Sequence, residues 1–134
     1  MIAVPVIHTN SVAHRRLLAQ AINQVIKTDI VTVENADMSN SWVNYYGTAQ
    51  GNVKYWKDAF NVVHLTGLVK SGTIGAEAFI LPPGYRPEIQ IVHPVCSNNL
   101  FGQAAIETSG GVAPNVGSNT WFAFDGITFL AGDE

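Results

Sequence analysis

Read for polarity alone, the chain changes period once. Residues 1–8 are apolar, and Pro5 keeps them extended. The next segment, TNSVAHRRLLAQAINQVIK, has helical spacing. Leu18, Ile22 and Val25 fall on one stripe, and Leu17, Ala21 and Ile26 widen it. Arg15, Arg16, Gln20, Asn23 and Gln24 lie mostly on the other faces, and Asn10 or Ser11 supplies the cap. A helix of about sixteen residues is marginal by itself. Its stripe needs a partner: the domain that follows, or copies of itself around a symmetry axis.

Beyond it the period shortens to two. DIVTV, residues 29–33, reads as a short β-branched strand, and ENADMSNS as a loop. WVNYYG, VKYW, FNVVHLTGLV, AEAFIL, EIQIVHPV, QAAIETS, GGVAP and TWFAFDGITFL are strand candidates separated by Gly, Pro and Asn clusters. Val63, Leu65, Gly67 and Val69 share one parity. Gly110-Gly111 predicts a tight hairpin, and Asp125-Gly126 a turn or bulge. The pattern predicts a mainly β protein, an antiparallel β-sandwich or barrel, with a short N-terminal α-helix. Residues 1–34 form an N-terminal segment of extended chain, helix and short strand, and residues 35–134 form the β region.

Composition adds self-association to this picture. The 134 residues are 47% hydrophobic and 13% charged, against roughly a quarter charged in a typical domain. So small a chain does not hide all its apolar side chains in one core. The surplus is expected between identical subunits. A net charge of −3 and a pI near 5.7 argue against a nucleic-acid partner. The single cysteine, Cys96, excludes an internal disulfide framework and reads as a small buried hydrophobe. No run of eighteen apolar residues predicts membrane insertion. The start MIAVPVIHTN lacks the basic region of a signal peptide, so folding in a cytoplasm is expected.

One stretch, ILPPGYRP at 80–87, is unusually constrained. Pro83-Gly84 suits the centre of a type II turn, and Pro82 and Pro87 hold their predecessors extended. Tyr85 and Arg86 are therefore held at a fixed angle, either as a rigid connector or as a recognition loop. The longer segment VHLTGLVKSGTIGAEAFILPPGYRP resembles a pattern of bacteriophage tail-fibre and receptor-binding head domains. The matching residues are Gly67, Gly72, Thr73, Gly75, Phe79, Leu81, Pro82, Gly84, Tyr85, Arg86 and Pro87. GITFLAGDE is similar to the closing strand of such heads, WVNYYG with YWKD to their entry strand, and HRRLLAQAINQVI to the opening helix of small phage virion proteins. The resemblance implies a trimer of jelly-roll-like sandwiches with the helix near the particle. It implies a virion protein made in the host cytoplasm, whose N-terminal segment, residues 1–34, attaches to other virion proteins or knits the trimer through Leu18, Ile22 and Val25, with residues 35–134 as the β-sandwich head. The chain has no fibrous repeat, so a short spike, a head fibre or a small tail tip is expected.

No catalytic or metal motif emerges. Glu34, Asp37, Asp58, Glu77, Glu88, Glu107 and Asp125 lie in or beside turns and form no carboxylate pair. His8, His14, His64 and His93 lack metal-ligand spacing, although His64 or His93 could form a ring on a threefold axis. No enzyme and no cofactor are expected. Binding fits better, because Trp42, Tyr45, Tyr46, Tyr55, Trp56 and Trp121 lie near polar turn residues. Aromatic faces stack on sugar rings, and neighbouring amides bond the hydroxyls. Trp56 and Tyr46 read as core or interface rings. The candidate glycan rim is Trp121, Asn98, Asn99, Asn119, Tyr85 and Arg86, drawn from ILPPGYRP and from CSNNLFG and APNVGSNT, taken as polar loops. The main expectation is a trimeric structural phage protein, a short tail or head fibre or spike, whose head binds a host surface polysaccharide. The alternatives are an architectural capsid or tail decoration protein, and a glycan-active depolymerase.

Overall fold

Two of the strand-like runs break once, and the breaks lie side by side. At Gly67 the backbone takes φ 109°, and a Cβ there would come within 2.7 Å of the Val53 Cα. Only glycine fits such a bend. Opposite it, Asp125 and Gly126 turn with φ 86° at Gly126. The Phe124 amide donates to the Gly67 carbonyl at 2.8 Å, and the Leu65 amide to the Ile127 carbonyl at 2.9 Å. Asp125 Oδ1 accepts from the Gly67 amide and from Thr66 Oγ1, both at 2.7 Å. Two paired strands thus bend together.

The structure is a computed structural model that describes residues 31–132. In chain order the strands are β1 (Glu34–Asn35), β2 (Val43–Asn44), β3 (Lys54–Lys57), β4 (Val62–Thr66), β5 (Leu68–Lys70), β6 (Phe79–Ile80), β7 (Ile91–Ser97), β8 (Leu100–Ile106), β9 (Gly111–Val116), β10 (Phe122–Ala123) and β11 (Thr128–Leu130). A single 3-10 turn, Ala49–Gly51, precedes β3. The strands form three antiparallel sheets: sheet A, β1-β3-β4-β11; sheet B, β10-β5-β2; sheet C, β6-β9-β8-β7. The shared bend passes β4 and β11 of sheet A into β5 and β10 of sheet B. The mainly β, antiparallel expectation holds. Three short sheets stand where two sandwich sheets were expected, because the bend divides both long runs.

The core is continuous across the sheets. Trp42, Phe79, Phe122 and Phe124 are fully buried with Leu65, Leu81, Ile106 and Ile127. Val63, Leu65 and Val69 point inward on the parity that the sequence predicts. Trp42 is held through its indole N–H, which donates to the Ala76 carbonyl at 3.1 Å, while Gly72 lies against its ring. The Phe79 ring meets Phe124 edge-on at 5.5 Å. Among the described residues every buried side-chain nitrogen or oxygen has a partner.

Several expectations need correcting. Residues 31–33 are not strand; pairing starts at Glu34 and Asn35, which join Tyr55 and Lys54. CSNNLFG is no long loop. It is a two-residue hairpin in which Asn98 (φ 49°) and Asn99 (φ 67°) both adopt the left-handed conformation of a type I′ turn. APNVGSNT is strand as far as Val116. Cys96 is exposed, because it falls on the outward parity of β7. The Gly110-Gly111 hairpin is present, but its loop is 107–110, with Gly110 at φ 94° and Gly111 already in β9. The predicted helix, with Leu18, Ile22 and Val25, lies outside the described residues.

Candidate functional site

Alternation along β3 sends its two aromatic residues to opposite faces. Tyr55 turns inward, stacks on Phe79 and meets Tyr85 edge-on at 5.2 Å. Burial, and next the Glu34 charge, raise the Tyr55 hydroxyl above its usual pKa. Trp56 turns outward. The hairpin register places His64 opposite Trp56, and Thr128 opposite His64. The Trp56 and His64 rings are parallel within 5°, with centroids 5.2 Å apart.

The β3–β4 turn fixes the third member of this group. Asp58 Oδ1 accepts from the Phe60 amide at 2.9 Å and the Val62 amide at 3.1 Å. Its Oδ2 lies 2.9 Å from His64 Nε2, and the two side chains are 30% and 28% exposed. The His64 hydrogen bond, helped by the two backbone amides, holds the Asp58 carboxyl below its ordinary pKa. An ionised carboxylate makes Nε2 the donor, so in neutral imidazole Nδ1 is an acceptor. The result is a shelf of two parallel rings, edged by an anion and by the exposed Thr128. Lys54, on the same face, has its ammonium on the Ala49 and Gln50 carbonyls at 2.9 and 3.2 Å. Such a shelf offers stacking and hydrogen bonds to a polyhydroxylated ligand. Among the described residues no group of three or more His, Cys, Asp or Glu is placed to hold a metal ion.

The six rim residues are divided between two ends of sheet C. Tyr85 packs on the core, with the Lys57 ammonium 5.3 Å from its ring centre and 2.7 Å from the Gly84 carbonyl. Arg86 forms no salt bridge among the described residues. Its Nε donates to the Leu81 carbonyl at 2.8 Å beside Gly110. Asn98 and Asn99 cap the opposite end of β8, roughly 20 Å away at strand rise. There the buried Ser97 hydroxyl lies 2.9 Å from the Trp121 carbonyl and accepts from the Ser118 amide at 2.8 Å. That link brings the Asn98 turn beside the 117–121 loop, around a groove of about 340 Å³. Asn119 is tied to Gly72 through its amide nitrogen at 2.9 Å. Trp121 is half-buried and, by register, lies across from Lys70, whose ammonium is 5.3 Å from the Tyr45 ring centre. Neither Trp56 nor Tyr46 enters the core.

Sequence reasoning passed over Trp56, Asp58 and His64 as a group. Their signal was the β3–β4 hairpin itself. Trp56 and Asp58 share one parity, and a turn at 58–61 brings His64 level with Trp56.

No protein-family model matches the sequence, and no curated protein matches it. Among solved structures, the crystal structure of the receptor binding protein (gp15) of Listeria phage PSA is similar with a TM-score of 0.78 and 17% identity, over 98% of this chain and 83% of that one. The chain has the fold of that phage receptor binding protein.

Proposed function

We propose that this chain is a structural bacteriophage virion protein, a short tail or head fibre or spike. It works as a homotrimer, its N-terminal segment contacts other virion proteins, and its β head binds a host surface glycan. The fold shared with a phage receptor binding protein supports the virion role. The observation that carries glycan binding is the Trp56–His64–Asp58 shelf. It combines a partly exposed aromatic stack with a carboxylate pinned by two amides. Its ligand is a sugar or polyol unit whose apolar face lies on the rings and whose hydroxyls meet Asp58 and Thr128. The second surface, Trp121 with Asn98, Asn99 and Asn119, is the competing contact.

The test is binding of the labelled full chain to a panel of immobilised bacterial cell-wall polysaccharides. The native chain is expected to retain at least one of them. Trp56→Ala is expected to weaken that binding about 10-fold or more, since a central aromatic anchor is worth about 2 kcal/mol. Trp121→Ala is expected to change it little. Loss with Trp121→Ala alone moves the site to the other surface. No binding to any polysaccharide or to intact host cells favours the decoration reading, and release of reducing ends favours the depolymerase.

A further inference from the structure

We infer that copies of this chain meet through the outer face of sheet C; the inference rests on the homotrimer proposed above. The β7–β8 register puts Val92, Pro94 and Cys96 on one face, with Gln103 and Phe101 facing the last two, and Val116 of β9 beyond Gln103. None of these residues carries a charge. Phe101 is 64% exposed, Val92 56% and Val116 45%, so the face is open. Ala105 and Ala113 on the same face are only 3% and 7% exposed, so its open part is Val92, Pro94, Cys96, Phe101 and Val116 around them. Carboxylates enter only at the far end, where Glu77 lies against Gly111 and Glu107 accepts from Gln90 at 2.7 Å.

Charge, exposure and edge chemistry make the occupant a second copy. The chain carries a net charge of −3, so copies repel where their carboxylates face each other. This neutral face is where identical chains approach without that cost. A standard interface takes roughly 800 Å² from each partner, and the exposed Phe101, Val92 and Val116 supply an apolar centre for one. Pro94 stands in the middle of β7, the open edge of sheet C, and removes an amide donor from it. A continuous ladder to a foreign strand is thereby interrupted, and contact goes through the face.

Cys96 is a built-in reporter. It is the sole cysteine and lies on this face, so any thiol cross-link joins two chains. The full chain is measured by light scattering, treated with a short bis-maleimide, and compared with Val92→Glu and Gln103→Glu. Circular dichroism checks that both variants keep their β structure. The native chain is expected at three times 14.4 kDa, with a cross-linked dimer band. Both variants are expected at one chain mass without the band, at least a 10-fold loss of assembly. A native trimer that does not cross-link, and that persists in both folded variants, overturns this interface and leaves the trimer standing. A native monomer overturns the trimer itself. In that monomer, protection of Cys96 from maleimide assigns the face to the chain's own N-terminal segment, which also overturns the inference.

Discussion

Asp58 shows how much one side chain settles at this site. One oxygen closes the β3–β4 turn by accepting two backbone amides, and the other orients the His64 ring on which Trp56 lies. The same bonds lower its pKa, the His64 bond foremost. A carboxylate with a folded pKa below its unfolded value stabilises the fold above about pH 4. That contribution is lost as pH falls through the lower, folded value. Asp58→Asn is therefore expected to melt below the native chain at pH 7. The gap should hold down to about pH 5 and close below about pH 4. Thermal melts of both chains across this range are the check; a gap unchanged at about pH 2.5 would contradict the role. Sequence presented Asp58 as a solvated turn carboxylate, and its three bonds depend on a register that composition does not carry. The constrained backbone around Arg86 was legible from its flanking prolines and Gly84, but the Leu81 carbonyl that its Nε binds was not.

Among the elements, the bend shared by β4–β5 and β11–β10 decides the architecture. Gly67 and Gly126 both have positive φ, yet their surroundings differ. A Cβ at Gly67 meets the Val53 backbone at 2.7 Å, whereas one at Gly126 meets nothing within 4 Å. Gly67→Ala is expected to cost about 3 kcal/mol or more, from backbone strain plus the clash. Gly126→Ala is expected to cost about 1–2 kcal/mol from strain alone. Denaturant melts read both, and equal costs would contradict the bend as drawn. The strands and their inward parity were legible at Val63, Leu65 and Val69. So was the type II turn: Gly84 has φ 94°, and the Tyr85 amide donates to Pro82 at 3.1 Å. The division into three sheets was not legible, because it depends on Gly67 and Asp125 meeting across 58 residues of chain. The Asn98-Asn99 hairpin was hidden for another reason. Asparagine tolerates left-handed backbone, so a tight turn looked like a polar loop.

At the scale of the whole molecule, few charges must serve two different surfaces. The outer face of sheet A carries Lys54, Asp58, His64 and Thr128 around Trp56, with Leu130 at its far end, while the outer face of sheet C is uncharged except where Glu77 and Glu107 enter at one end. This separation is what the proposed division between a glycan-binding face and a face shared with sister chains requires. The excess of apolar residues was legible in composition, but which face carries it needed the sheet register. The three tryptophans give the most direct measurement of the receptor-binding claim. In ¹⁵N-labelled full chain each indole N–H gives its own NMR signal, assigned by replacing each Trp with Phe. Trp42 is buried and bonded to Ala76, Trp56 lies on the shelf, and Trp121 lies at the far loop. On titration with the retained cell-wall polysaccharide, the Trp56 signal is predicted to shift in proportion to saturation while Trp42 and Trp121 stay in place. A shift of Trp121 with Trp56 unmoved, or no shift of any indole, would contradict the account.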